Sequence, residues 1–222
     1  MSALSVENER DRLAREAYLQ LSAAADEFER YTHPHAARIS AIADRIAETL
    51  HMAPQDRRSL RNAARMHDLG EVAMERDYIQ RDGPLTDEER IDLARHPVIG
   101  EQEAARASAD RAVQLLVRWH HEWWNGGGYP DGLRGDEIPL AGRILRLADS
   151  YASLTASRPF RAAYSAAAAR QMIIQRAGIE FDPRVVQTFL QLELTEPVEP
   201  ADEPASVSTA SEDKELFSSF MK

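Results

Sequence analysis

Residues 120–143 read HHEWWNGGGYPDGLRGDEIPLAGR. Two adjacent histidines and a glutamate run into two tryptophans. Five of the chain's ten glycines follow, at 126, 127, 128, 132 and 135. Packing alone gives no reason for glycines at that density. A site at which a large, charged ligand approaches the backbone does. The stretch 125–138 is therefore read as a loop set between two helices. One helix is predicted over about 110–121. Pro139 starts a long one that runs through Leu154.

Working outward, the chain stays helical. Residues 5–30 read as a polar, charged helix. Ile39, Ile42, Ile46 and Leu50 recur at steps of three and four, which is one face of a helix over 36–50. Pro54 opens a third helix that runs toward His67 and stops near Gly70. Thr86 and Glu89 form a capping-box pattern for a helix ending at His96-Pro97, and another helix follows from about 98. Residues 164–177 are Ala-rich and helical. Asp182 and Pro183 make a cap and first-turn pair for a last helix to about 193. No strand pattern appears. The expected fold is all-α, about seven helices around one core. The N-terminal helix is 1–30 and the main domain 31–193. The tail 194–222, acidic and rich in Pro and Ser, is expected to be disordered.

Composition removes several function classes. The chain has 222 residues and no cysteine, so disulfides and thiolate metal sites are excluded. Any metal must be held by histidine and carboxylate. Net charge is −10, concentrated in the tail, and no basic stripe of the kind that binds a nucleic-acid polymer is present. No apolar run reaches the length of a membrane span, and the first residues lack a secretory core. A cytoplasmic protein is expected.

The seven histidines stand at 33, 35, 51, 67, 96, 120 and 121. Five of them fall at expected helix starts or ends, together with Asp68 and Asp149: His35, His67, His96, His120 and His121. Neighbours in a helix point about 100° apart, so an adjacent His-Asp pair can grip a metal cluster from two sides. Imidazole with carboxylate suits iron, manganese or zinc. His33 and His51 are read as ordinary surface residues.

Five segments, in order, resemble one family. They are MHDLG at 66–70, HPVIG at 96–100, the stretch from 120 with Gly128-Tyr129-Pro130, ADSYASLTASRPFR at 148–161, and FDPRVVQTFL at 181–190. The chain is similar to the HD-GYP family, the metal-dependent cyclic dinucleotide phosphodiesterases of the HD superfamily, over roughly residues 28–192. The resemblance implies hydrolysis of cyclic di-GMP to linear pGpG or GMP. It implies two divalent ions, iron or manganese ahead of zinc. One would be held by His35, His67, Asp68 and Asp149, the other by Asp68, His96, His120 and His121, with Asp68 bridging. Gly128, Tyr129, Pro130, Arg158 and Arg161 would contact substrate. Asp68, Glu71 and Glu122 are the candidate catalytic set, with Glu122 orienting ligands. Trp123 and Trp124 are read as loop packing.

The sequence also departs from the family. Glu71 stands where a lysine is usual, Asn125 where an aspartate is, and Ala152-Ser153 where Asp-Ala is. Tyr31 replaces the glutamate that holds a third ion in some members, so two ions are expected. Glu71, Asn125 and Ala152 favour a second reading, a catalytically weak module that binds a cyclic dinucleotide or a protein. The N-terminal helix is a candidate contact for a homodimer or a signalling partner.

Overall fold

The computed structural model describes residues 3–31, 33–81, 83–157 and 162–194, with side chains from residue 16 onward. Arg158, Arg161 and the tail from 195 lie outside the described residues. Among the described residues the fold is all α-helix, as expected. Its only β feature is a single bridge between Ala177 and Phe181. No described helix is long and apolar enough to cross a membrane.

The first helices are α1 (Ala3–Phe28), α2 (His35–Thr49) and α3 (Pro54–Met66). Ile39, Ile42 and Ile46 point inward on α2, the face the sequence marked. Pro54 occupies the first turn of α3, where its missing N–H costs nothing. The second half of α1 joins the same core through Tyr18 and Ala25. The chain then forms α4 (Leu69–Met74), α5 (Asp77–Gln80) and α6 (Asp87–Leu93). These short pieces raise the count to eleven α-helices among the described residues, above the expected seven or so. Helices of one or two turns carry too few residues to show a period. Thr86 caps α6 with the reciprocal capping box its sequence announced.

The remaining helices are α7 (His96–Arg106), α8 (Arg111–Trp119), α9 (Leu140–Leu154), α10 (Ala166–Gln175) and α11 (Pro183–Gln191). Asp110, Ser165 and Asp182 cap α8, α10 and α11 with side-chain oxygens. Helix α2 packs on α3 and α9, and α7 is held between α4 and α8. Tyr151, Phe189, Ile144 and Leu147 fill the centre with almost no exposure.

One contact sets the site. A Cβ on Gly70 would lie 1.9 Å from the His96 carbonyl oxygen and 2.8 Å from the Gly100 nitrogen. Only glycine lets α4 and α7 approach this closely. The approach brings Asp68 beside His96.

Candidate metal centre

Helix ends deliver the candidate ligands. His35 is the first residue of α2 and His96 the first of α7, while His120 and His121 follow the last residue of α8. The sequence pattern suggested one helix running on to Gly70. Instead α3 ends at Met66, and Asp68 takes a bent conformation (φ −100°, ψ 15°) before α4 begins. The bend aims two consecutive side chains at one place. Asp149 projects from the interior of α9.

All seven converge. Asp68, His96, His120 and His121 form one group, and His35, His67 and Asp149 a second. Asp68 faces both. Its Oδ2 lies 2.7 Å from His67 Nε2, and its Oδ1 lies 3.5 Å from His96 Nε2 and 3.6 Å from His120 Nε2. Asp149 Oδ1 is 3.8 Å from His35 Nε2 and 3.9 Å from His67 Nε2. His33 and His51 are exposed and stand apart from the cluster.

The backbone orients three of the rings. Nδ1 of His67, His96 and His120 lies 3.0, 2.8 and 2.6 Å from the carbonyl oxygens of Ala64, Leu93 and Val117. A carbonyl only accepts, so each Nδ1 carries a proton, and whenever the ring is neutral its Nε2 holds the lone pair for the site. His121 is the exception. Its Nδ1 is 2.9 Å from Nη1 of Arg146, a pure donor, so the neutral ring carries its proton on Nε2.

Electrostatics leaves most of the cluster in the state a cation needs. Burial, then the neighbouring His120, pushes His96 down to about 4. Burial, His120 and Arg146 drive His121 well below its ordinary range. Burial works to raise Asp149, but the facing His35 and the charges of His67 and Arg146 hold it at about 2. Asp68 is likewise held well below the usual carboxylate range, against burial, by His67, His120 and His96. His67 runs the other way. Burial opposes its charge, yet Asp68 and Asp149 raise it to about 9.

The residues fit a metal on their own chemistry. Among the described residues neither ring nitrogen of His35 has a hydrogen-bond partner, although the residue is buried. Unpartnered buried nitrogens are costly unless something binds them. The donors are imidazole and carboxylate, the set that borderline divalent ions prefer.

The loop between α8 and α9 forms a wall. The ring of Tyr129 stacks on His121 at 4.8 Å and 16°. A Cβ on Gly128 would lie 2.3 Å from Trp123 N and 2.4 Å from the His121 carbonyl oxygen. The loop's approach to its own backbone therefore requires glycine at 128. Glu122 needs correction as an orienting residue. Its Oε1 accepts from the amides of Asp131 and Gly132 at 2.7 and 3.0 Å, and its Oε2 from Leu133 at 2.9 Å. It anchors the loop. Trp123 and Trp124 pack under Arg176 and Arg143, at 5.0 and 5.4 Å, as expected of loop packing. Tyr31 stacks on His35 at 3.8 Å, in the place of the glutamate expected of a third ion site. Glu71 is buried on α4, and its charge is felt by Tyr129.

Sequence reading missed a buried ion-pair network. Arg146 donates to Oε1 of Glu180 from Nε at 2.9 Å and from Nη2 at 2.5 Å. Its Nη1 also reaches Asp149 Oδ2 at 3.4 Å. Arg176 Nε donates to Glu180 Oε2 at 3.0 Å. The one available hint was the three-residue step from Arg146 to Asp149 along a helix.

An all-helical fold with a buried pair of His/Asp groups defines a class, helical domains with a candidate two-group metal centre. Residues 20–185 match the family model described as HD domain, and the chain belongs to that family. It is 35% identical over 187 residues to the cyclic di-GMP phosphodiesterase response regulator RpfG of Xanthomonas campestris, covering 83% of this chain and 49% of that protein. It is 36% identical over 194 residues to a cyclic di-GMP phosphodiesterase of Vibrio cholerae, covering 80% and 39% respectively. The chain therefore spans half or less of the length of these relatives. The fold is also that of a cyclic GMP-AMP specific phosphodiesterase of V. cholerae, with a TM-score of 0.64 at 23% identity, over 79% of this chain and 47% of that one.

Proposed function

We propose that the chain is a metal-dependent phosphodiesterase that opens the ring of cyclic di-GMP, giving linear pGpG or GMP. The observation that carries this is Asp68, whose two oxygens face the two ligand groups separately. On this reading His35, His67, Asp68 and Asp149 hold one divalent ion. Asp68, His96 and His120 would hold the other, with His121 as a fourth ligand if its Nε2 proton passes to solvent and Arg146, already donating to Nδ1, offsets the charge of the ring. Iron or manganese suits the set ahead of zinc. Two such ions supply the Lewis acidity that in-line attack of water on a phosphodiester requires. The Nδ1–H bonds of His67, His96 and His120 keep those rings fixed, so little reorganisation accompanies substrate binding. Tyr129 walls the site beside His121, and Gly128, Pro130, Arg158 and Arg161 complete the substrate contacts. The catalytic domain spans 31–193, preceded by α1, and the tail from 194 is dispensable to it.

A second reading, a cyclic dinucleotide-binding module with little turnover, is favoured by one observation. Glu71 buries a carboxylate whose charge is felt by Tyr129, the ring stacked on His121. Incubating metal-loaded protein with cyclic di-GMP and resolving products by chromatography separates the two. Linear product supports the first reading. Binding without product supports the second, and neither binding nor product removes both. Cyclic GMP-AMP in a parallel reaction tests substrate choice.

A further inference from the structure

The guanidinium of Arg146 is in contact with one candidate ligand from each group. Nη1 lies 2.9 Å from Nδ1 of His121 and 3.4 Å from Oδ2 of Asp149. The side chain is buried, and it enters from α9 one helical turn before Asp149. A buried guanidinium needs an anion, and Glu180, only 2% exposed, provides one through two bonds to Nε and Nη2. With Nε and Nη2 committed to Glu180, the plane of the fork is set and Nη1 has one direction left to point. Arg176 holds the far oxygen of Glu180, so the carboxylate is itself fixed from behind. The Glu180 carbonyl accepts the amide of Trp124 at 3.0 Å, and the Ile179 carbonyl accepts that of Asn125 at 2.9 Å, which ties the same segment to the loop.

We infer that Arg146, clamped by Glu180, is a positioning residue that sets the Asp149 carboxylate and the His121 ring relative to each other across the two metal groups. Its bond to Asp149 occupies Oδ2 and leaves Oδ1 toward His35 and His67. Its bond to His121 holds the ring under Tyr129. Removing the fork frees a ligand in both groups at once, so both ions should bind more weakly.

The inference rests on the two-metal reading above, and metal binding by the unaltered protein tests that reading separately. Mn²⁺ affinity and stoichiometry are measured on the full chain by competition with a fluorescent chelator, with circular dichroism checking the fold at the same temperature. If wild type takes up no metal, the two-metal reading fails. If wild type binds two ions, Arg146→Ala should weaken both by 10–100-fold, the usual loss for a group that orients a ligand. Arg146→Lys keeps the charge but not the fork, and should recover only a small part. Glu180→Gln leaves Arg146 in place with a weaker clamp, should fold even if Arg146→Ala does not, and should lose about tenfold. Arg146→Ala combined with Glu180→Gln should lose no more than Arg146→Ala alone. Unchanged affinity in folded Arg146→Ala and Glu180→Gln would overturn the inference and leave a purely structural ion pair. Tighter Mn²⁺ binding would also overturn it, because Arg146 would then be acting only as a competing cation.

Discussion

Replacing Gly70 by alanine should damage fold and site together. The added Cβ would sit 1.9 Å from the His96 carbonyl oxygen, and real Cβ contacts essentially never fall below 3.0 Å. The obstructing atoms are backbone on α7, so α4 and α7 must separate by about 1 Å. Overpacking of this kind costs about 1–3 kcal/mol. Alanine returns about 0.5–1 kcal/mol of helix propensity. The net cost is about 0.5–2 kcal/mol, and each kcal/mol moves the midpoint of a chain this size by about 2–4 °C, so a fall of roughly 1–8 °C is expected. Metal ligands tolerate errors of only about 0.2 Å, so a 1 Å retreat of His96 from Asp68 should cost the ion at that group more than tenfold in affinity. Differential scanning fluorimetry and Mn²⁺ titration read the two effects. A variant that melts with wild type and binds two ions at wild-type affinity would refute the argument that this contact positions the site.

Three other perturbations have defined outcomes. Glu71→Lys removes a carboxylate whose repulsion of a unit charge at about 4 Å is near 4 kcal/mol at an effective dielectric of 20. It should raise cyclic di-GMP turnover or affinity tenfold or more with metal content unchanged, whereas metal loss would make Glu71 a ligand. Glu122→Ala leaves three loop amides without their acceptor and should cost about 1–3 kcal/mol in a denaturant melt while metal stoichiometry stays the same. Loss of an ion equivalent would instead support the expected role of Glu122 in orienting the ligands. The pH dependence of the metal-free protein follows from His67, raised to about 9 from an ordinary 6.5. A folded-state value above the unfolded one stabilises fully below about pH 6.5 and is lost as pH rises through about 9. The melting temperature should therefore fall across that window in chelated protein and not in metal-loaded protein, where His67 binds no proton. A flat profile in the chelated protein would contradict the assigned environment of His67.

Much of this was legible from local patterns. The isoleucine face of α2, Pro54, the Thr86–Glu89 box and the Asp182 cap act within a few residues, and the structure repeats each of them. Six of the seven candidate ligands were legible as a set because they cluster at helix ends, where a side chain clears its own helix, whereas Asp149 lies inside α9. What was hidden depends on distant neighbours. Nothing near Glu122 in the chain says that its carboxylate caps the amides of residues 131–133. Arg146 and Glu180 lie 34 residues apart and meet only once α9 and the segment before α11 are packed. The clash that makes Gly70 obligatory is with a carbonyl 26 residues away. The break at His67–Asp68 was masked because helical residues continue on both sides of it.

The most direct test of the account is a metal count on protein prepared without oxygen, wild type beside Asp68→Ala. One carboxylate facing both groups predicts close to two equivalents in the wild type and a sharp loss from both sites in the variant. Loss of only a fraction of one equivalent on removing Asp68 would contradict the bridged pair on which the proposed chemistry depends.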